Sequence, residues 1–200
     1  MPHTERHLPP WMTASLLLLA FCGAVFPGVQ RNGTAGWEAL NVMQLLLLPA
    51  AIAATAGWII WVAASRGVHN SIPREFHPWL AIALLGVAVK LIFPLHPALF
   101  FLLGSCFQKG ALWSLFALAM LAVILRRDST PSTGAASGAL AGLAGFTVCE
   151  IFCPITEASH ILMAHLSLGL VFAAAGMVVG PVVSRVLHSG GEGSIKPTEQ

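Results

Sequence analysis

The side chains best suited to chemistry lie in one stretch of the chain, residues 149–165, with the sequence CEIFCPITEASHILMAH. It holds two thiols, two carboxylates and two histidines: Cys149, Cys153, Glu150, Glu157, His160 and His165. Long apolar segments flank it on both sides. Ionisable groups are costly inside a membrane and ordinary at its edge, so their depth decides whether they sense a signal, bind metal or cap a helix.

The composition places this stretch in a membrane protein. Of the 200 residues, 56% are hydrophobic and 9% are charged, and the mean hydropathy is +0.80. Apolar runs of about 20 residues, enough to cross a hydrocarbon core about 30 Å thick, recur along almost the whole chain. The net charge of +2 is small and the basic residues lie in short loops, so we expect no direct nucleic-acid binding. The composition predicts an all-α polytopic membrane protein embedded in a lipid bilayer.

Six transmembrane helices are predicted from the apolar runs, at residues 11–29, 37–64, 79–94, 106–125, 134–152 and 156–186. The first run is longer than a signal-peptide core and no small-x-small cleavage site follows it, so we expect an uncleaved span. Pro94 should end the third helix, because proline lacks a backbone donor. Thr156 is predicted to cap the sixth helix, with Glu157 in its first turn. The expected organisation is a short N-terminus (1–10), a six-helix domain (11–186) and a disordered tail (187–200).

The basic residues predict how this domain is oriented. Seven of the ten arginines and lysines fall on the side of the two termini, whereas Arg31 and Lys109 fall on the opposite side and Lys90 lies within the third span. Cytoplasmic loops are enriched in positive residues, so both termini should be cytoplasmic and the protein should lie in a bacterial inner membrane. Cys106 and Cys153 would then lie at the outer face, where disulfides can persist.

Cys106 begins the fourth span and Cys153 follows the fifth, so the two thiols should lie at one level of the membrane. Three interpretations remain open. The thiols form a disulfide if their Cα atoms come within about 7 Å; they bind a soft metal ion, with Glu150, Glu157 or His160 as further ligands; or they are buried as small hydrophobic groups. Because the chain has no CxxC or HxxxH spacing, a closed zinc site is only weakly indicated.

Other polar groups in the spans need partners. His160 and His165 are five residues apart, about 140° around an α-helix, so we expect them on different faces. For His165 we expect an interhelical hydrogen bond rather than metal binding. Lys90 lies near the middle of its span, so its charge must be paired or hydrated, or its side chain must extend to the membrane surface. Glu150 is its expected counter-charge, and a proton or ion path through this pair stays open.

Glycines in the last two spans predict close helix packing. Four of them are interleaved with alanines in the fifth span and should lie on one face where another helix approaches: Gly134, Gly138, Gly142 and Gly145. Gly176 and Gly180 form a second pair in the sixth span.

A series of short motifs runs through the C-terminal half: Cys106 at the head of a span, LRRDSTP at 125–131, GAASGALAG at 134–142, Cys153-Pro154, His165, and GPVVSR at 180–185. In order and spacing this half of the chain resembles the NrsF family, the membrane-embedded negative regulators of an extracytoplasmic-function sigma factor. The resemblance implies a six-span anti-sigma factor that is not an enzyme. It also implies that Cys106 and Cys153 are an outward pair that senses oxidants or heavy metals.

The expected partner is a cytoplasmic sigma factor. Because ten residues precede the first span, we expect it to contact the loops 65–78 and 126–133, including Arg126 and Arg127, and the tail. Two other functions stay open. A membrane thiol oxidoreductase would need a second reactive cysteine pair and a quinone site, and a small metal or proton transporter would use Lys90, Glu150 and the thiols. Apart from a soft metal ion at Cys106 and Cys153, no cofactor is expected.

Overall fold

The structure is a computed structural model that describes residues 8–65, 73–95, 103–127 and 130–189. All regular secondary structure in these segments is helical. The helices are α1 Pro10–Asn32, α2 Ala35–Ala39, α3 Val42–Ala64, a 3-10 turn Arg74–Phe76, α4 His77–Ile92, α5 Leu103–Arg127, α6 Pro131–Phe152, α7 Ala158–His160, a π-helical segment Ile161–Leu166 and α8 Ser167–Ser189. Six helical segments, the last one combining α7, the π-helical segment and most of α8, are long and apolar enough to cross a membrane. The predicted all-α polytopic fold is confirmed.

The second span begins five residues later than predicted, at Val42 instead of residue 37. A capping box fixes this start: the Asn41 side chain accepts from the Gln44 backbone N–H at 2.9 Å, and the Gln44 side chain accepts from the Asn41 N–H at 3.0 Å. The residues before the box form the separate short helix α2.

The sixth span also differs from its prediction at both ends. Its N-cap residue is Glu157, without a side-chain capping bond, so the predicted cap by Thr156 is wrong. Instead, the Ala158 N–H donates to the carbonyl oxygen of Pro94 at 3.0 Å and ties the helix to the end of α4. Helix α8 continues to Ser189, so residues 187–189 of the predicted tail are helical. Residues 1–7 and 190–200 lie outside the described residues.

Helix α6 is the centre of the bundle. In its most apolar window 83% of the residues are buried, compared with 28% to 50% in the other five spans. Glycine and alanine make up most of its first half, so neighbouring backbones can approach it on every side. The other helices expose large apolar side chains outward, which suits contact with lipid. Examples are Leu18, Leu19, Phe26, Met43, Leu46 and Leu84.

Helices α6 and α8 meet along three glycines spaced four residues apart, Gly134, Gly138 and Gly142. A Cβ atom on each would collide with the α8 backbone, at Gly176, Phe172 and Leu168 respectively. We call these three pairs the glycine seam. The approach is closer than any larger residue allows, which is the physical reason for glycine at these positions.

The remaining glycines do not all extend this seam. A Cβ atom on Gly145 would meet Gly110 and Ser114 of α5, so the expectation that all four glycines share one face is wrong. Gly145 follows Gly142 by three residues, which turns it toward a different neighbour. Gly180 is buried in α8.

Candidate metal and thiol site

Two cysteines from different helices meet at one end of the bundle. Cys106 lies in the first turn of α5 and Cys153 is the C-cap residue of α6, and because these helices are antiparallel their ends coincide. Both cysteines are free thiols, and their sulfurs lie in hydrogen-bond contact at a distance of 3.4 Å. They are 7% and 5% exposed. We call this end of the bundle the thiol end.

Two histidines complete a compact group with the thiols. The Cys153 sulfur lies 3.5 Å from Nε2 of His160. One ligand atom from each of Cys106, Cys153, His160 and His165 lies within 4.8 Å of the others, and all four residues are buried. We call these four residues the Cys–His cluster. This cluster could hold a metal ion.

The two histidines lie side by side, with ring centroids 4.9 Å apart and the rings edge to face. The expectation that they lie on different faces is wrong, because it assumed an α-helix. The chain adopts a π-helix over Ile161–Leu166, in which the backbone bonds join residues five apart. A residue and its fifth successor therefore lie on the same side, which brings His165 next to His160.

His165 is held by a carboxylate from α6. Its Nδ1 lies 2.6 Å from Oε1 of Glu150, and both side chains are buried. With Glu150 ionised and His165 neutral, Nδ1 donates to the carboxylate and Nε2 carries the lone pair. This confirms the predicted interhelical hydrogen bond of His165. Nε2 is buried without a hydrogen-bond partner.

The pairing of Glu150 with Lys90 is wrong. Lys90 lies exposed in the last turn of α4, whereas Glu150 points into the bundle toward His165. Within the described part of the chain, the side-chain partner of Glu150 is His165. Helix rotation, which the apolar pattern of α4 leaves undetermined, separates the two charges.

Several side chains surround the Cys–His cluster without belonging to it. Cys149 donates its thiol hydrogen to the carbonyl oxygen of Cys106 at 3.2 Å and so joins α6 to α5. Cys22 lies on the exposed side of α1. Lys109 places its Nζ 4.9 Å from the centre of the Phe152 ring, a cation–π contact between the same two helices. The half-buried Glu157 is not among the clustered ligands.

Helix α2 covers the thiol end. Gly36 packs against the backbone where α6 terminates, and a Cβ atom there would lie 2.5 Å from the carbonyl oxygen of Cys153 and 2.8 Å from its nitrogen. The pKa of the Cys153 thiol is raised, first by its hydrogen bonding with Cys106 and then by burial. A second negative charge beside the first sulfur would be unfavourable in this enclosed position.

Sequence reasoning named all four residues of the Cys–His cluster as candidates, but it favoured a hydrogen bond over metal binding for His165 and expected the two histidines on different faces. The π-helical segment brings the two histidines together, and the sequence pattern does not distinguish it from the α-helix that the same apolar run predicts. The predicted partner-binding residues Arg126 and Arg127 form the backbone of the last turn of α5.

Searches against protein-family models, curated proteins and solved structures found no match to this chain.

Proposed function

We propose that this protein is a membrane-embedded anti-sigma factor of the bacterial inner membrane. It holds an extracytoplasmic-function sigma factor inactive at its cytoplasmic side and releases it when Cys106 and Cys153 bind a soft metal ion or become oxidised. It is not an enzyme. The observation that carries the proposal is the 3.4 Å contact between two buried thiols that come from two different helices at one end of the bundle.

A thiol pair in this position is suited to receive a signal. Thiolates are the preferred ligands of soft cations. Oxidation would instead join the sulfurs, and the two thiols would give two protons and two electrons to the oxidant. Either event fixes the start of α5 against the end of α6.

The bundle offers a route from this end to the opposite one. The 22 residues of α6 span about 33 Å. The glycine seam holds α6 against α8 by direct backbone contacts, with no side chains between the two helices. A change in the spacing of α5 and α6 at the thiol end therefore reaches their other ends, which the 126–133 segment connects. That segment, with Arg126 and Arg127, is the proposed contact for the sigma factor.

Sidedness follows from the basic residues and can be tested separately. We expect the thiol end to face outward. In a variant without native cysteines, Thr34→Cys introduces an exposed thiol at that end and Ser132→Cys a matched thiol at the other. A membrane-impermeant maleimide applied to intact cells should label only the first. Labelling of the second alone would reverse the topology and place the thiols in the cytoplasm.

The function is tested by induction of the target regulon together with co-purification of the bound cytoplasmic protein. We expect Cys106→Ser, Cys153→Ser and the double variant to lose induction equally, because removing one partner already abolishes the pair. Cys22→Ser, on the exposed side of α1, is the control and should respond normally. If all three site variants are induced normally at normal membrane abundance, the thiols carry no signal and the proposal fails.

The two other functions gain no support from the described residues. Cys149 is buried and donates to the backbone of α5, whereas Cys22 is exposed on α1. These two cysteines therefore do not supply the second reactive pair that a thiol oxidoreductase needs. Lys90 and Glu150 face different surroundings, so they do not form the charged pair proposed for ion or proton transport.

A further inference from the structure

We propose that Cys106, Cys153, His160 and His165 form a four-coordinate binding site for a divalent cation of the zinc group, Zn²⁺ or Cd²⁺, and that Glu150 is the positioning residue for the His165 ligand. This proposal rests on the proposed function, in which the bound ion is the signal that releases the sigma factor. The site itself can be tested without any sigma factor.

The first support is the geometry of the ligand atoms. A tetrahedral zinc site with bonds of about 2.3 Å to sulfur and about 2.0 Å to nitrogen requires about 3.8 Å between two sulfurs and about 3.6 Å between sulfur and nitrogen. The sulfurs of Cys106 and Cys153 are 3.4 Å apart, and the Cys153 sulfur is 3.5 Å from Nε2 of His160. The largest separation within the cluster is 4.8 Å. Tetrahedral binding would require the longest edge to shorten by about 1 Å.

The second support is the unpartnered Nε2 of His165. The side chain is fully buried, and this atom has no hydrogen-bond partner. A buried nitrogen lone pair without a donor is unfavourable, and here it belongs to the ligand group of the cluster. A cation bound among the four ligands would satisfy it.

The third support is the Glu150 carboxylate behind His165. Histidines that bind metal almost always donate their other ring N–H to an oxygen acceptor, which fixes the ring orientation and raises the basicity of the ligand nitrogen. The 2.6 Å bond from Nδ1 to Oε1 of Glu150 has this arrangement. A disulfide switch between the two cysteines would need neither this carboxylate nor the second histidine.

The fourth support is the π-helical segment. Such turns are rare and occur often at functional sites. In an α-helix His160 and His165 would diverge, and only the π-helix places both rings beside the thiols. The local departure from α-helix therefore serves the ligand geometry.

The ligand set selects the ion. Two thiols release two protons when a divalent cation binds, so two thiolates and the ion form an electrically neutral site, which suits a buried position. Mixed sulfur and imidazole ligands in tetrahedral geometry favour zinc-group ions, whereas Mg²⁺ and Ca²⁺ require oxygen ligands.

The test uses the reduced, full-length protein in detergent and Co²⁺ as a spectroscopic probe. We expect one Co²⁺ per chain, with sulfur-to-cobalt charge-transfer absorption and the intense visible bands of tetrahedral coordination, and displacement by Zn²⁺ and by Cd²⁺ but not by Mg²⁺. Binding should also protect the cysteines of the unmodified protein from alkylation, a readout that requires no variant to fold. A spectrum without a sulfur contribution, or thiols that alkylate equally fast with and without metal, would overturn the site.

Variants separate the roles within the site. Cys106→Ser, Cys153→Ser, His160→Ala and His165→Ala should each lose the tetrahedral spectrum, whereas Cys22→Ser and His77→Ala, the latter a buried histidine at the opposite end of the bundle, should keep it. Tetrahedral spectra in both histidine variants would show that the histidines are not ligands.

Glu150→Met removes the acceptor while all four ligands remain, so we expect 10- to 100-fold weaker binding with an unchanged spectrum, on the order seen for outer-shell residues. Glu150→Gln keeps an acceptor oxygen and should restore part of the affinity. Equal affinity in Glu150→Met and the unmodified protein would remove Glu150 from the proposal.

The two proposals fail in different ways. Tetrahedral binding without a co-purified sigma factor contradicts only the anti-sigma function. A co-purified sigma factor that is released by oxidant, with no metal bound to the reduced protein, contradicts only the metal site.

Discussion

The two ends of the α6–α8 pair are built on opposite principles. Over the glycine seam the helices touch backbone to backbone at Gly134, Gly138 and Gly142, with no side chain between them that can change its rotamer. At the thiol end this regular contact stops. There α6 ends at Phe152, and the next crossing starts with the short helix α7 and a π-helical segment.

The difference shows where the molecule can respond. A backbone contact has one arrangement and tolerates no added atom, so the seam transmits movement without absorbing it. The thiol end contains two free thiols, an unpartnered nitrogen and a loop. A rigid contact with one adjustable end fits the proposed sensing function.

The largest effect is expected at the seam. Gly138→Leu places a side chain where the α8 backbone at Phe172 lies. Overpacking of a well-packed core typically costs about 1–3 kcal/mol, and because backbone atoms cannot rotate away we expect at least about 3 kcal/mol and loss of folded protein. The measurement is the monodisperse yield in detergent and the thermal stability.

The matched control is Gly57→Leu, since a Cβ atom at the exposed Gly57 meets nothing within 4 Å. Leu140 is not a suitable control. Its spacing from Gly138 predicts a different face, yet it is 1% exposed because α6 is enclosed on every side. Unchanged stability of Gly138→Leu would mean that the seam is not rigid.

The next effect is stabilisation of the thiol end by metal. Zn²⁺ at a free concentration 100 times its dissociation constant should stabilise the reduced protein by about 2.7 kcal/mol, because it binds the folded state in preference to the unfolded one. A chelator should reverse the gain. His165→Ala should abolish it and His77→Ala should not, as measured by thermal unfolding with and without Zn²⁺. Equal stabilisation of both variants would place the metal elsewhere.

A smaller effect is expected from the cover over the thiol end. Gly36→Ala pushes α2 away from the backbone of Cys153, at a cost of about 1–2 kcal/mol since α2 is short and can shift. We expect faster alkylation of Cys153 by a soluble maleimide. Ala39→Ser, at an exposed position of the same helix, is the control. If the alkylation rate of Cys153 is the same in both, α2 does not cover the site.

The smallest effect is expected from removing the extra residue of the π-helix. Deletion of the half-exposed Met163 lets the segment become α-helical and leaves the two histidines four residues apart, which again places them on one face. We expect Co²⁺ affinity within a fewfold of the unmodified protein and stability within about 1 kcal/mol. Insertion of one alanine after Met163 should instead separate the rings and abolish the tetrahedral spectrum. Loss of binding in both variants would show that more than ring proximity depends on the π-helix.

The sequence alone determined the number and approximate positions of the membrane-spanning helices. In hydrocarbon every backbone polar group must bond within its own segment, so an apolar run of sufficient length forms a helix whatever its neighbours are. Local sequence signals also placed two helix ends at the site. Helix α6 ends at Phe152 as predicted, and Cys106 lies in the first turn of α5. The start of α3 also has a local signal, the Asn41–Gln44 capping box, which separates α2 from α3 within one apolar run.

Tertiary structure decided which polar groups meet. The rotation of each helix decides whether Glu150 faces Lys90 or His165, and whether Gly145 faces α8 or α5. Because α6 is buried on all sides, its hydrophobic pattern leaves that rotation undetermined. The contact between His160 and His165 depends on a π-helix that an expected period of 3.6 residues cannot produce. The sequence supplies the thiols and imidazoles, and the packing of the other helices around α6 decides that they converge.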